Sequence, residues 1–191
     1  MKNNRNGKAA ILSDMDYSKI RKQIKSQKYK LLLDLAWYTG ERWGALVQLR
    51  TEDVYQSNGL PHDCITFRAR TRKAAPDGTR QTRQVPVHSV LLESLRAYKP
   101  DSLWLFPCRE GNEPITVRWA DKILRAAVER AGLDALGIST HSTRRSFITK
   151  LHRKGIDLYT IQSITGHRDL KALGHYVEID GDRIKGAIAT L

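Results

Sequence analysis

Thr39-Gly40-Glu41-Arg42-Trp43-Gly44-Ala45-Leu46 is the stretch on which the fold turns. Before it, Leu31, Leu32, Leu35 and Ala36 recur at helical spacing, so Ser13 to Thr39 reads as two helices. Ser13 or Asp14 caps the first, and Thr39 and Gly40 stop the second. A short helix over about 41–49 follows, carrying Leu46, Val47 and Leu49, and Arg42 falls at its start.

Further along, Cys64-Ile65-Thr66-Phe67 and Gln84-Val85-Pro86-Val87 are short β-type runs. Pro76-Asp77-Gly78 between them is a turn signal, which predicts an antiparallel hairpin with a long, basic tip. A helix over about 89–98, an apolar piece Leu103 to Phe106, and helices over about 116–131, 141–154 and 157–164 complete the pattern, with short helices towards the end. The class is mainly α with a small antiparallel β-sheet, an α+β fold. Strands and helices do not alternate as βαβ, which argues against a Rossmann or P-loop architecture. Residues 1–12 read as a flexible basic arm and 13–191 as one domain.

The chain has 191 residues, enough to bury a core without disulfides, and its 40% apolar and 28% charged content is that of a globular protein. Thirty-three Lys and Arg against twenty Asp and Glu leave +13, a field that favours a polyanion, nucleic acid first. The only cysteines, Cys64 and Cys108, form no CxxC pair, so a disulfide scaffold and a zinc finger are both disfavoured and a reducing, cytoplasmic compartment is expected. No apolar run approaches the roughly eighteen residues of a membrane span, and the first residues hold no secretory h-region.

GxGxxG and GxxxxGK[ST] are both absent, as are DxD and HExxH clusters, so neither a phosphate-cradling glycine loop nor two-metal nuclease chemistry is expected. What remains is a set of basic groups and a tyrosine. Arg144 lies three residues after His141, on one face of a helix opened by Ser139 and Thr140. Gly166-His167 closes a later helix, and Tyr176 stands nine residues beyond His167.

In this order the motifs resemble those of the tyrosine recombinases, the phage-integrase family. The stretch 39–46 with Leu49 and Asp53-Val54 is similar to the family's first arginine box. His141-Ser142-Thr143-Arg144-Arg145-Ser146-Phe147 resembles the second, and Ile161 through Gly166-His167 to Tyr176 the third. The resemblance runs from about residue 13 to the end and implies a catalytic domain with the DNA breaking-rejoining enzyme fold. It makes Arg42, His141, Arg144, His167 and Tyr176 the active-site set, with Lys73, in Arg70-Thr71-Arg72-Lys73, as the hairpin lysine. Three residues after the first arginine the family usually has Glu or Asp; here Ala45 stands, and Asp34 or Glu41 is the available substitute.

The implied function is site-specific DNA recombination. Tyr176 attacks a DNA phosphodiester to give a 3′-phosphotyrosyl link and a free 5′-hydroxyl, and strand exchange and re-ligation follow, without metal, ATP or other cofactor. Two guanidiniums, Arg42 and Arg144, suit the charged non-bridging oxygens because they bind them in bidentate geometry. His141 and His167 move or share protons near neutral pH. A free tyrosine has a pKa of about 10, so Tyr176 needs this positive surrounding, and Lys73 serves as general acid for the leaving oxygen. Arg70, Arg72, Arg80 and Arg83 are expected to contact the DNA backbone, with Lys19, Arg21, Lys22, Arg118 and Lys122 as further basic surface.

The expected partners are double-stranded DNA, three further copies in a tetramer, and accessory DNA-bending proteins, for a mobile-element or prophage enzyme of bacterial or phage origin at the nucleoid. Ile184, Ile188 and Leu191 in the tail pack either on their own domain or on a neighbouring protomer. A DNA-clamping domain often precedes such a domain, and the residues in hand are those expected of a catalytic fragment or of a small single-domain recombinase. Two other readings share the residues: a non-catalytic DNA-binding regulator that kept the fold, and DNA relaxation of the type IB topoisomerase kind.

Overall fold

The computed structural model describes residues 9–71, 78, 80–167, 169–174, 176 and 189, apart from the side chain of Ala172. Lys73 and Arg72, most of the expected arm, and Ile184, Ile188 and Leu191 lie outside the described residues. The chain divides into two compact units, one running to Phe147 and one starting at Ile148.

In the first unit, α1 (Asp14–Gln23) begins at a capping box. The Ser13 side chain accepts the Asp16 N–H at 3.1 Å, and the Asp16 carboxylate accepts the Ser13 N–H at 3.0 Å. α2 (Gln27–Thr39) is more deeply set than a one-sided stripe requires. Leu31, Leu32, Leu33, Leu35, Ala36 and Trp37 are all buried, because α4 (Ser89–Ala97) and the short α3 (Trp43–Leu46) pack on it. α1 packs against α5 (Val117–Arg130), whose Ala120, Leu124, Ala127 and Val128 form the inward stripe. Leu12 is already part of this core, and its N–H donates to Ser146 Oγ at 2.7 Å, so the chain is anchored just before α1.

β1 (Cys64–Phe67) and β2 (Arg83–Pro86) form the expected antiparallel pair, with Ile65 opposite Val85 and Phe67 opposite Arg83. Ile65, Phe67 and Val85 face inward, as the two-residue period requires. The apolar piece Leu103 to Phe106 joins by backbone pairing rather than as a strand: Thr51 N–H donates to Leu103 O and Leu105 N–H to Leu49 O, both at 2.9 Å.

α6 (Thr140–Arg153) starts in the first unit and continues into the second, where α7 (Leu158–Thr165) packs against α8 (Leu170–Gly174). Asp157 caps α7 by accepting the Thr160 N–H at 2.9 Å, and Gly166, at φ 64°, closes it. Among the described residues of this unit, Ile148, Ile161 and Leu173 are the buried apolar side chains. Among the described residues no helix is long and apolar enough to cross a membrane.

Candidate active site

The first unit carries a cleft of about 280 Å³ whose walls include Glu41, Arg42, Ala45, Val117, His141 and Arg144. Two backbone features bring them together. Gly40 ends α2 at φ 60°, and the chain then runs extended through Arg42, the residue that precedes α3. A Cβ at position 40 would lie 2.3 Å from Cδ1 of Phe147, so glycine is required by space as well as by φ. Across the cleft, the first turn of α6 presents His141 and Arg144 on one face. Ser142 stabilises that turn by accepting the Ser139 N–H at 3.0 Å, and the Trp43 indole N–H donates to Thr143 Oγ1 at 3.1 Å.

The two arginines differ in state. Arg144 is 4% exposed, and its Nη1 donates to Gly40 O at 2.8 Å. The Arg42 guanidinium has no hydrogen bond or ion pair with any described residue and is open to an incoming anion. The cleft also lies at the N-terminal turn of a fourteen-residue helix, whose dipole favours negative charge there.

Ala45 lies in the cleft wall and supplies no charge. The carboxylate there is Glu41, 1% exposed. Its Oε1 accepts the Arg42 N–H at 2.7 Å and lies 3.7 Å from Arg144 Nη1, while its Oε2 accepts a short hydrogen bond from Arg83 Nη2. Burial by itself would raise the Glu41 pKa, but Arg83, the Arg42 N–H and Arg144 together hold it below the usual carboxylate value. Asp34, the other substitute considered from sequence, serves a separate cluster with Tyr17, Arg21 and Ser94.

On the hairpin, Arg70 and Arg80 are exposed, and Arg80 Nη1 donates to Arg70 O at 3.0 Å. Arg83, grouped with them from its position in a basic stretch, instead turns inward. It lies over the Phe67 ring at 5.4 Å and pairs with Glu41. The signal was present in the strand period, because residue 83 shares a face with the inward Val85. Arg21 is likewise paired with an acid, Asp34, although about a third of its side chain stays exposed. Sequence reasoning also missed Arg68, which donates from Nε to Asp53 Oδ1 at 2.5 Å and from Nη2 to Glu52 Oε1 at 2.7 Å. The hairpin tip thus springs from two ion-paired roots, Arg68 at the end of β1 and Arg83 at the start of β2.

The second unit brings His167 and Tyr176 together, with ring centroids 5.9 Å apart. Thr165 Oγ1 donates to Ile161 O at 2.6 Å and lies 2.6 Å from His167 Nδ1. A hydroxyl has one proton, so satisfying both contacts places a ring proton on Nδ1. The Tyr176 backbone is held by its N–H to Leu173 O at 2.8 Å and by Thr149 Oγ1 donating to its carbonyl at 3.5 Å.

This helical architecture, with its two-stranded sheet, is the fold of tyrosine recombinase catalytic domains. It resembles the catalytic domain of bacteriophage HP1 integrase with a TM-score of 0.63 and 18% identity, covering 95% of each chain. It also resembles the XerH site-specific recombinase, solved bound to its difH substrate, with a TM-score of 0.71 and 23% identity, covering 94% of this chain and 53% of that one. The sequence carries the assignment further, because the family model for the phage integrase family matches residues 10–183 and the chain belongs to that family. A putative integrase/recombinase of Sinorhizobium fredii, y4eF, is 31% identical over 163 residues, 82% of this chain and 59% of the relative. The chain spans about half the length of the curated relatives it matches.

Proposed function

We propose that this chain is the catalytic domain of a site-specific DNA recombinase, spanning 13–191 behind the arm at 1–12, with Tyr176 as nucleophile. The observation that carries the reading is the cleft in which the open Arg42 guanidinium, His141 and the buried Arg144 face one space. Such a cleft suits a phosphodiester whose non-bridging oxygens gain charge as a fifth oxygen approaches. Arg42 and Arg144 hold those oxygens, and His141 adds a donor. His167, with a proton on Nδ1, offers Nε2 to a proton in transit, and the Tyr176 oxygen attacks phosphorus. Lys73 gives its proton to the departing 5′-oxygen. One P–O ester bond is made as another is broken, so the 3′-phosphotyrosyl link keeps the bond energy and re-ligation needs no ATP.

The family membership supports duplex DNA as substrate, as does the likeness to a recombinase solved on its difH substrate. Arg70 and Arg80, together with Arg72, are the backbone contacts expected from the hairpin; Arg83 is left out of that set because its charge is met by Glu41. Strand exchange between two duplexes calls for four protomers, with the C-terminal segment as the link between them and accessory DNA-bending proteins to shape the synapse. A cytoplasmic site of action, with access to the nucleoid, goes with that substrate.

The test is covalent capture. The protein is incubated with a pool of nicked duplexes of randomised core sequence, and adducts that survive denaturation are recovered and sequenced. Wild type is expected to yield adducts on a restricted set of sequences, and Tyr176→Phe none. Adducts that persist in Tyr176→Phe overturn the nucleophile, and selective binding with no adduct on any duplex makes the chain a regulator instead.

A further inference from the structure

Three guanidiniums converge around the cleft and its hairpin wall, those of Arg42, Arg83 and Arg144, and the side chains of Arg83 and Arg144 are at least nine-tenths buried. Like charges brought together away from water repel strongly, and a buried arginine without a counter-charge costs several kcal/mol. Glu41 is the acid shared by two of them. Its carboxylate divides the work between its oxygens: Oε1 faces the Arg42 N–H and Arg144, and Oε2 takes Arg83. Arg144 is thereby held between Glu41 and the Gly40 carbonyl, and the start of β2 is tied to the segment that carries Arg42.

We infer that Glu41 is the positioning residue of the cleft, fixing the Arg144 guanidinium for the scissile phosphate and anchoring the β2 root of the hairpin to it. The assignment rests on the recombinase reading. Glu41 does not touch the substrate; it acts through Arg144 and Arg83. Among these four side chains it leaves two positive charges in excess, so the cleft is pre-assembled yet still attracts an anion.

The test compares wild type, Glu41→Gln and Glu41→Asp on the duplex recovered by covalent capture, and on the same duplex carrying a methylphosphonate at the scissile position. The methyl group removes the charge from one non-bridging oxygen and with it part of the need for a well-placed arginine. Glu41→Gln is expected to bind DNA and to stay folded at the assay temperature, though it melts lower than wild type. Its single-turnover adduct formation on the phosphate duplex, normalised to the folded fraction, falls about 10²-fold, the scale of a small misplacement. On the methylphosphonate the gap to wild type is expected to narrow sharply, and Glu41→Asp, which keeps the charge, recovers part of the rate on phosphate. An equal loss on both duplexes, or a loss that follows the unfolded fraction, overturns the assignment.

If wild type forms no adduct, the recombinase reading fails by itself, and the positioning claim is judged on nitrogen-15 spectra of the arginine side chains. Slowly exchanging Arg144 and Arg83 guanidinium signals are expected in wild type and averaged ones in Glu41→Gln. Spectra that do not differ overturn it.

Discussion

Asp34 and Glu41 stand seven residues apart, one within α2 and one just past its end, and both are buried carboxylates facing arginine. Asp34 is fully subscribed. Its two oxygens accept from Tyr17 Oη at 2.6 Å, Arg21 Nε and Nη2 at 2.7 and 2.9 Å, and Ser94 Oγ at 2.8 Å. This cluster clamps α1 and α4 onto α2, and burial followed by the Asp34 charge pushes the Tyr17 phenol far above its ordinary pKa. Glu41 instead takes a hydrogen bond from Arg83 and meets Arg144 at 3.7 Å, beyond hydrogen-bond length, at the edge of a cleft whose wall includes the open Arg42 guanidinium. Two ion-paired acids of similar burial therefore do different work: the Asp34 cluster spends its charge on joining helices, and the Glu41 cluster keeps positive charge in excess beside a space.

Removing charge from the second cluster should give the largest effect on chemistry. Arg144→Ala is expected to lower single-turnover adduct formation by about 10²–10³-fold, the usual loss for one donor to a charged transition state. A matching loss of DNA affinity would break the comparison, since Arg144 would then be a binding group only. Asp34→Asn comes next and acts on stability. Urea unfolding is expected to show a loss of about 3 kcal/mol, at the low end for a broken buried pair because Arg21 keeps a third of its side chain exposed. The folded fraction should still form adducts at the wild-type rate, and a slower rate would show that Asp34 also serves the cleft.

Acid should separate wild type from Glu41→Gln more gently. The folded pKa of Glu41 is lowered, so its contribution is complete above the unfolded value of about 4.3 and is lost as pH falls through the lower folded one. The stability difference between the two proteins is expected to shrink as pH is taken from about 6 to about 3, and a constant difference would mean that Glu41 is not charged in the fold. The smallest effect belongs to Ser13→Ala. The Ser13 side chain belongs to neither cluster, and its loss should cost about 1 kcal/mol through the lost cap and leave adduct formation unchanged.

Local rules carried most of the fold. The cap at Ser13, the stop at Gly40, the stripe of α2 and the inward parity of the two strands follow from neighbours a few residues away. The pairing of Leu103 to Phe106 with Leu49 and Thr51 was not legible, because no local period marks a backbone that bonds to a segment about fifty residues distant. The same reason hid the partners in the cleft. Arg83 is forty-two residues from Glu41, and Arg144 is one hundred and four from Gly40. A basic residue in a basic stretch reads as surface until its acid is known. The ordered motifs named Arg42, His141, Arg144, His167 and Tyr176, and the structure groups the first three in one unit and the last two in the other. Lys73 lies outside the described residues.

Gly40 sets a limit on how this chain can drift. Its left-handed φ admits Asn or Asp at modest strain and few other side chains, while the Phe147 ring forbids any Cβ at all. Trimming Phe147 clears the space but leaves the backbone demand, and adding a side chain first drives it into the ring. Every route away from glycine therefore passes through two changes, each harmful until the other is made. In a population varying one codon at a time, position 40 should stay fixed long after its neighbours have turned over.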